Sequence, residues 1–383
     1  MKISHQKDDE PIQFVDLAAQ RARLGDAIEV AISKVISHQQ FIMGPEISQL
    51  EHLLAKFSGA KHAITCSSGT DALALLLLGF GIKPGDVVIC PTFTFCATAE
   101  VIAWFGAIPL FVDVDLNTFN INPTDVQNAI DTAQNNGHKV TGIVSVDLFG
   151  RPADYKALEK LAKDNGKWLL CDAAQSFGAS YNNRNVGTFG IATATSFFPA
   201  KPLGCYGDGG AIFTDDDKLA SLVKSLRSHG KGEHKYDNIH IGMAARMDTI
   251  QAAILIEKIS IFPEEIEKRR RIAEKYNNYF SNLTNVIPPS YHEGSTWAQY
   301  TIQVDPQKRE AIQKTLRQEG IPTQIYYPIP LHRQKAYRSY PTLRKELPVS
   351  DQLAASVISL PIHPYISSKQ QEYICQTIKK IVC

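Results

Sequence analysis

The sequence predicts an α/β protein built on a mostly parallel β-sheet, followed by a smaller α+β region. Short apolar runs rich in β-formers alternate with helical patterns between residues 63 and 214. Continuous apolar strands of this kind are typical of a parallel sheet that helices cover on both faces. After about residue 285, short extended segments alternate with helices, which indicates a separate α+β unit.

Seven apolar runs are predicted to be strands, and helical patterns separate several of them. The runs are Ala63–Cys66, Val87–Cys90, Pro109–Val114, Gly142–Val146, Trp168–Cys171, Thr193–Phe198 and Ala211–Thr214. The helical segments between them are Asp71–Leu78, Ala97–Phe105, Pro123–Ala133 and Pro152–Asn165.

Helices flank this region on both sides. Residues 1–13 form a polar leader, Phe14–Gln40 is predicted as a helix, and a further helix runs from Pro45 to about Phe57. Beyond the sheet, helices are predicted at Asp216–Ser228, Asp248–Ile261 and Pro263–Leu283. The tail is predicted to contain the extended segments Trp297–Val304 and Thr323–Tyr327 and the helices Lys308–Glu319, Ser350–Ile358 and Ser367–Ile381. We therefore expect a large domain over residues 14–260 and a small one over residues 261–383.

The composition excludes several classes of protein. The chain has 383 residues, of which 44% are hydrophobic and 21% charged, and its formal net charge is +1. This charge gives no field to attract nucleic acid or an anionic membrane, and the longest apolar run, Ala72–Phe80, is too short to span a bilayer. The seven cysteines form no CxxC pair, which fits reduced thiols. We predict a cytoplasmic protein without a membrane, nucleic-acid or metal partner.

Lys201 lies in a segment, residues 196–210, that cannot be a regular helix or an interior strand. Pro199 and Pro202 flank the lysine, and proline interrupts the hydrogen bonds of both structures. Apolar neighbours such as Phe197 would desolvate the amine and favour its neutral, nucleophilic form. The alternative is an ordinary glycine-rich turn with a solvated lysine.

Residues that follow two of the predicted strands are further candidates for binding a ligand. Gly69 and Thr70 follow the first strand and begin a helix, where free N–H groups and the helix dipole favour a phosphate. Asp172 closes the fifth strand, and Gln175 lies close enough in sequence to reach the same ligand. Each of these two motifs has a purely structural alternative. Thr70 or Asp71 could cap the helix that begins there, and Asp172 could cap the helix that follows the fifth strand.

Together these motifs meet the needs of pyridoxal phosphate. This cofactor requires a phosphate cradle, an acidic partner for its ring nitrogen and an amine for its aldehyde. Ser196 could give the phosphate a second hydroxyl, and Phe95 could stack on the flat ring. The alternative for Phe95 is a core aromatic.

Three stretches resemble the DegT/StrS family of nucleotide-sugar aminotransferases. They are Thr-Cys-Ser-Ser-Gly-Thr-Asp-Ala-Leu at 65–73, Asp-Ala-Ala-Gln-Ser-Phe-Gly-Ala at 172–179 and Ser-Phe-Phe-Pro-Ala-Lys-Pro-Leu-Gly-Cys-Tyr-Gly-Asp-Gly-Gly-Ala at 196–211. The resemblance covers residues 14–383. It implies the aspartate-aminotransferase fold, type I, with a mixed, mostly parallel seven-stranded sheet, and a homodimer with active sites at the subunit interface.

The same matching implies a role for each candidate residue. Lys201 would bind the cofactor aldehyde covalently, and Asp172 would pair with the pyridine nitrogen. Gln175 would lie near the ring oxygen, and Phe95 would stack on the ring. The phosphate would be held by Gly69, Thr70 and Ser196.

Within the family, the chain is most similar to bacterial enzymes that aminate a UDP-linked 3-keto-uronate for lipopolysaccharide synthesis. Their Tyr-Pro-Ile-Pro-Leu stretch recurs at 327–331. The resemblance implies that L-glutamate donates an amino group to C3 of a UDP-linked 2-acetamido-3-keto-uronate, for lipopolysaccharide and O-antigen sugars. One alternative substrate is a dTDP-linked 3-keto-6-deoxyhexose. An alternative of a different class is a non-catalytic regulatory protein that binds the cofactor.

Three further residues are candidates for substrate binding. Arg246 could bind a carboxylate of glutamate or of the uronate, with a structural salt bridge as the alternative. Tyr326 and Tyr327 could line the sugar pocket, although the prolines beside them also fit ordinary loop packing.

Two positions depart from the family pattern. Family members usually carry Asn-Ser where this chain has Ala244-Ala245, and that asparagine reaches the cofactor phosphate of the neighbouring subunit. Tyr326 stands where close relatives often have histidine. The first change removes a phosphate donor, and the second removes an imidazole that could bind the substrate.

Overall fold

The structure is a computed structural model that describes residues 11–234 and 236–382. The first ten residues of the predicted polar leader lie outside the described residues, and residues 11–13 form an irregular entry to the first helix.

Helices and strands alternate through most of the described chain. The strands are β1 His62–Cys66, β2 Val87–Pro91, β3 Ile108–Val112, β4 Val140–Val146, β5 Trp168–Asp172, β6 Ser180–Tyr181, β7 Arg184–Asn185, β8 Ala192–Ser196, β9 Gly210–Thr214, β10 Val286–Ile287, β11 Tyr300–Val304 and β12 Val357–Leu360. The helices are α1 Leu17–Leu24, α2 Ala27–His38, α3 Pro45–Ser58, α4 Gly69–Gly79, α5 Ala97–Trp104, α6 Pro123–Asn135, α7 Tyr155–Asp164, α8 Asp217–Leu226, α9 Thr249–Ile259, α10 Phe262–Phe280, α11 Arg309–Gln318, α12 Pro348–Ser356 and α13 Ser368–Val382.

The large sheet has the strand order β1-β9-β8-β5-β4-β2-β3. Strand β9 is antiparallel to both of its neighbours, and every other neighbouring pair is parallel. All seven apolar runs form these strands, so the predicted mixed, mostly parallel seven-stranded sheet is confirmed. Its strands are buried on both faces, which explains why most of them are apolar without alternation; β8, Ala-Thr-Ala-Thr-Ser, is the exception.

Helices cover both faces of this sheet. One core cluster joins the sheet to α4, α5 and α8, and a second joins its other face to α6 and α7. Helix α4 is buried at every position from Ala72 to Leu77, because it packs against the sheet and against both α5 and α8. The longest apolar run of the sequence is therefore a core helix.

The C-terminal part contains a second sheet, in which β11 lies between β10 and β12 and pairs antiparallel with both. Its core includes Tyr276 of α10, Tyr300 of β11 and Ile374 of α13. The domain boundary at residues 260 and 261 stays a prediction, and it falls in the short connection between α9 and α10.

Three predicted elements were wrong in detail. The helix predicted over Phe14–Gln40 is two helices, because Gly25 adopts a positive φ of 58° between α1 and α2. Thr323–Tyr327 forms no strand, and only Gln324 bridges to Ser359. The helix predicted over Ser350–Ile358 ends at Ser356, because the next residues pair with β11 as strand β12. No helix in the described part of the chain is long and apolar enough to span a membrane.

Candidate active site

Several predicted site residues meet at one edge of the large sheet, because parallel strands end there together. Gly69 follows β1 after a short turn, Asp172 is the last residue of β5, and Ser196 is the last residue of β8. Gly210 begins β9 at the same edge, where it pairs with Cys66 and with Ser196. This edge is where ligands bind in open α/β sheets.

Asp172 is a buried carboxylate with two hydrogen-bond donors. The Thr98 hydroxyl donates to Oδ2 at 2.9 Å, and the Ala174 amide donates to Oδ1 at 3.2 Å. Burial raises the pKa of Asp172, while these two hydrogen bonds and the charge of Lys201 lower it. Burial is the larger effect, so the pKa of Asp172 lies above its usual value, and these neighbours offset part of the shift.

Lys201 lies in a loop whose backbone is tightly folded. The Lys201 amide donates to the Phe198 carbonyl at 2.8 Å, and a Cβ on Gly204 would approach the same carbonyl oxygen to 2.7 Å. The buried Lys258 ammonium donates to the Gly204 carbonyl at 2.7 Å and fixes the loop from α9. Burial lowers the pKa of the Lys201 amine, and the Asp172 carboxylate opposes this shift. These contacts favour the predicted rigid, desolvated lysine.

The turn between β1 and α4 forms, with Ser196, a cradle around Gly69 and Thr70. At position 69 it has room for glycine only. The Ser68 hydroxyl caps α4 by accepting from the Asp71 amide at 3.0 Å, so neither Thr70 nor Asp71 is the cap. A Cβ at Gly69 would approach Cβ of Ser196 to 2.7 Å. The amides of Gly69 and Thr70 are in the first turn, where helix N–H groups have no acceptor within the helix. Free donors, a helix N-terminus and two hydroxyls suit a phosphate.

Gln175 is buried between two contacts that orient its side chain. Its Oε1 accepts from the Phe149 amide at 2.6 Å, and its Nε2 donates to the Tyr327 hydroxyl at 3.3 Å. Phe95 is 53% exposed, so it is not a core aromatic, and its ring centroid lies 6.2 Å from that of Tyr327. Tyr326 packs next to Tyr327 at a centroid distance of 5.8 Å.

Arg246 is the predicted site residue that lines a cavity without any of the others. It lines a separate cavity of about 670 Å³ together with the side chains of Met43, Ser228, His229, Lys231, Tyr236 and Asn238. Within residues 11–234 and 236–382, no carboxylate pairs with Arg246 in a salt bridge. The neighbouring Ala245 carbonyl accepts from the Ser67 amide at 3.1 Å, which links this segment to the β1–α4 turn.

Sequence reasoning missed Thr98, Phe149 and Asp147. Thr98 is the second residue of α5, the helix after β2, and Asp147 follows β4, so both stand where strand ends meet. Asp147 is fully buried and accepts from the Ala153 amide at 2.8 Å and from the Tyr155 and Ser176 hydroxyls at 2.7 and 2.6 Å. Their position after a strand could have marked them as candidates. The neighbouring sequence does not indicate which residue each of them contacts.

The chain matches the DegT/DnrJ/EryC1/StrS aminotransferase family over residues 23–379. It is 42% identical to the UDP-2-acetamido-2-deoxy-3-oxo-D-glucuronate aminotransferase of Pseudomonas aeruginosa, over 96% of this chain and 99% of that protein. It is 38% identical to a pleiotropic regulatory protein of Geobacillus stearothermophilus, over 96% of this chain and 97% of that protein.

Solved structures agree with the fold. The crystal structure of a DegT DnrJ EryC1 StrS aminotransferase from Brucella abortus has a TM-score of 0.94 and 45% identity, covering 97% of this chain and 99% of its own. NtdA from Bacillus subtilis, crystallised with bound cofactor PMP, has a TM-score of 0.90 and 27% identity, covering 99% of this chain and 87% of its own. The glycine cradle, the buried carboxylate and the desolvated lysine fit pyridoxal phosphate. The chain is a member of the DegT/DnrJ/EryC1/StrS aminotransferase family, with fold type I and pyridoxal phosphate as its cofactor.

Proposed function

We propose that this protein transfers the amino group of L-glutamate to C3 of a UDP-linked 2-acetamido-3-keto-uronate, for lipopolysaccharide and O-antigen sugars. The observation that carries this proposal is that the buried Asp172 carboxylate ends β5 at the same edge of the sheet where Gly69 lies against Ser196 and from which the Lys201 loop leaves β8. The charges of Lys201 and Asp172 act on each other there. The 42% identity to an aminotransferase named for such a sugar supports the substrate class.

The roles that we propose follow from the contacts of each residue. When bound, pyridoxal phosphate supplies an aldehyde that binds amines covalently and a ring that accepts electron density from the reacting carbon. Asp172 would accept a hydrogen bond from the ring nitrogen and keep it protonated. Lys201, whose burial favours the neutral amine, would take a proton from the substrate carbon at Nζ and return it one position away.

The amino group and its protons balance over two half-reactions. In the first, glutamate would leave its amino group and two electrons on the cofactor-loaded enzyme, take its keto oxygen from one water molecule and depart as 2-oxoglutarate, and the same two electrons would pass to the sugar in the second half. In the second, that amino group replaces the keto oxygen of the sugar, which leaves as water. Lys201 carries the proton in both directions, so one amine serves both halves.

The cradle and Gln175 would position the cofactor. The amides of Gly69 and Thr70 and the hydroxyls of Thr70 and Ser196 are the proposed phosphate donors. Gln175 already directs its Nε2 away from the Phe149 amide, so it can donate to an oxygen on the ring. Phe95 is exposed at this edge, which supports a stacking role.

The substrate side is proposed to involve a second set of residues. Arg246 has no carboxylate partner among the described residues, which supports binding of a carboxylate from a ligand. Tyr326 and Tyr327 adjoin Gln175 and are proposed to line the sugar pocket.

We propose a cytoplasmic homodimer with active sites at the interface. Large apolar side chains lie exposed near the cavity that Arg246 lines, including Met43 at 41%, Ile239 at 58% and Ile241 at 93%. A second copy would bury such a surface. The six described cysteines are free thiols, which supports a reducing compartment. Ala244 offers no side-chain donor to a partner's cofactor.

The test is glutamate-dependent amination of a panel of UDP- and dTDP-linked keto-sugars, read by mass spectrometry. We expect a mass change of one amino-for-oxygen exchange with the UDP-linked 3-keto-uronate. Preference for a dTDP-linked 3-keto-6-deoxyhexose would overturn the proposed substrate and leave the reaction type intact. An Asp172→Asn variant is the matched control, because it removes the ring-nitrogen partner at nearly constant volume.

A regulatory protein that binds the cofactor without turnover is the second candidate, because one relative carries a regulatory name. The visible absorbance of the purified protein separates the two. Addition of L-glutamate should bleach the visible band of an aminotransferase and leave that of a regulator unchanged.

A further inference from the structure

Thr98 is a buried threonine on the second position of α5, with only 1% of its surface exposed. Its hydroxyl donates to Asp172 Oδ2 at 2.9 Å, across 74 residues of sequence. The Thr94 hydroxyl lies 3.4 Å from the same Oγ1. A helical threonine commonly bonds a main-chain carbonyl of the preceding turn, but Thr98 directs its proton to a carboxylate instead.

Asp172 needs this donor because the other titratable groups around it act on its charge in opposite directions. The groups that act on it are Lys201 in its loop, Asp147 after β4 and Tyr327 between α11 and α12. Only Lys201 among these favours the charged carboxylate, and its own amine is driven toward the neutral form by burial. The Thr98 hydroxyl and the Ala174 amide are then the fixed groups that stabilise the charge.

We propose that Thr98 is a positioning residue that keeps Asp172 ionised and fixes the orientation of its carboxylate toward the ring nitrogen of the cofactor. The value of this orientation for catalysis rests on the proposed function. The hydrogen bond itself acts in the protein without cofactor, because both partners belong to this chain. The role of Thr98 can therefore be disproved while the proposed function stands, and the proposed function can be disproved while the role of Thr98 stands.

The decisive variant is Thr98→Val, which keeps the shape of the side chain and removes its donor. Thr193→Val is the matched control, because Thr193 is equally buried on the neighbouring strand β8 and its hydroxyl donates only to the Phe189 carbonyl, at 3.2 Å. Thr98→Ser restores the donor. If Thr98→Val does not fold, Thr98→Ala gives the same comparison with a smaller side chain.

The first measurement is the unfolding equilibrium of the cofactor-free protein at about pH 5 and about pH 8.5. A hydrogen bond to a charged group contributes about 1.5–3 kcal/mol, so Thr98→Val should raise the unfolding constant roughly 10- to 100-fold at the higher pH. The effect should shrink as pH falls, because a proton on Asp172 removes the charge that strengthens this hydrogen bond. Thr193→Val should show the same effect at both pH values, and Thr98→Ser should resemble the wild type.

The second measurement is the affinity for pyridoxal phosphate and the pH profile of the transamination. Thr98→Val should weaken cofactor binding and move the acidic limb of the rate profile to higher pH, because loss of the donor raises the pKa of Asp172 further. A pH-independent loss of stability, equal to that of Thr193→Val, would overturn the proposal. So would an unshifted acidic limb in a Thr98→Val enzyme that binds cofactor normally.

Discussion

The main-chain amide of Phe149 donates a 2.6 Å hydrogen bond to Oε1 of Gln175 and so determines which end of that side chain faces the site. With its oxygen occupied, Gln175 directs Nε2 to the Tyr327 hydroxyl at 3.3 Å. Phe149 reaches this position with a positive φ of 61°. Gln175 is thereby set as a donor toward the edge where Lys201 and Asp172 lie.

Replacement of Gln175 by glutamate should weaken cofactor binding. A carboxylate can still accept from Phe149 but cannot donate, and it adds a charge beside Asp172. We expect roughly a tenfold or greater rise in the cofactor dissociation constant, which absorbance titration measures. Gln251→Glu is the control, because Gln251 Oε1 also accepts a main-chain amide, from Tyr206 at 2.9 Å. Equal effects from both substitutions would contradict a specific role for Gln175.

Lys201→Ala should abolish turnover while cofactor remains bound through the phosphate cradle. General acid–base catalysis typically contributes about 10²–10⁴-fold, and this variant loses the covalent attachment as well. Product formation is followed by mass spectrometry and retained cofactor by absorbance after gel filtration. Lys218→Ala, at an exposed position of α8, should leave both unchanged. Borohydride reduction of the wild type should label the peptide that contains Lys201, and a label elsewhere would exclude this residue.

Gly69→Ala should damage the cradle through one contact. The added Cβ would lie 2.7 Å from Cβ of Ser196, so the turn or the end of β8 must shift. We expect a loss of stability of about 1–3 kcal/mol and weaker cofactor binding, measured by denaturant unfolding and absorbance titration. In a double-mutant cycle with Ser196→Gly, part of the stability loss should be recovered. Full additivity of the two substitutions would show that the clash is not the cause.

Ionisation of Asp147 should lower the free energy of unfolding as pH rises toward neutrality. Burial raises its pKa to about 7, so its stabilising contribution is present below the unfolded pKa of about 4 and is lost as pH rises through about 7. The change amounts to about 4 kcal/mol at most, given about 1.4 kcal/mol for each pKa unit.

Asp147→Asn should therefore flatten the pH dependence of the free energy of unfolding between about pH 4 and about pH 7. Burial lowers the pKa of His363 to about 4, which gives a slope of opposite sign, but that slope is present in wild type and variant alike and cancels in their difference. Urea unfolding at several pH values measures the difference. Parallel curves for the two proteins would contradict the assignment of this slope to Asp147.

Arg246→Lys should impair whichever half-reaction uses a carboxylate at this position, because an ammonium cannot form the two parallel hydrogen bonds of a guanidinium. We expect KM for the affected substrate to rise roughly tenfold, with each half-reaction followed separately by the cofactor absorbance. Lys231→Ala, in the same cavity, tests whether positive charge alone suffices. If Arg246→Lys leaves both half-reactions unchanged, the carboxylate role is excluded.

The sequence alone was sufficient to predict the sheet and to propose which residues act at its edge. Most of the strands are largely apolar runs, and burial on both faces leaves that mark in a parallel sheet. Lys201 between two prolines, Gly69 at a helix start and Asp172 at a strand end are local patterns, so neighbouring residues suffice to recognise them. For the same reason the family resemblance could be stated from three short stretches.

Only the tertiary structure decided how these residues are held. Thr98 and Asp172 are 74 residues apart, and Phe149 and Gln175 are 26 apart. Whether such pairs meet depends on strand register and on how each helix packs across the sheet, which no local pattern records. Secondary structure follows from the order of neighbouring side chains, whereas hydrogen bonds between distant residues follow from the packing of whole elements.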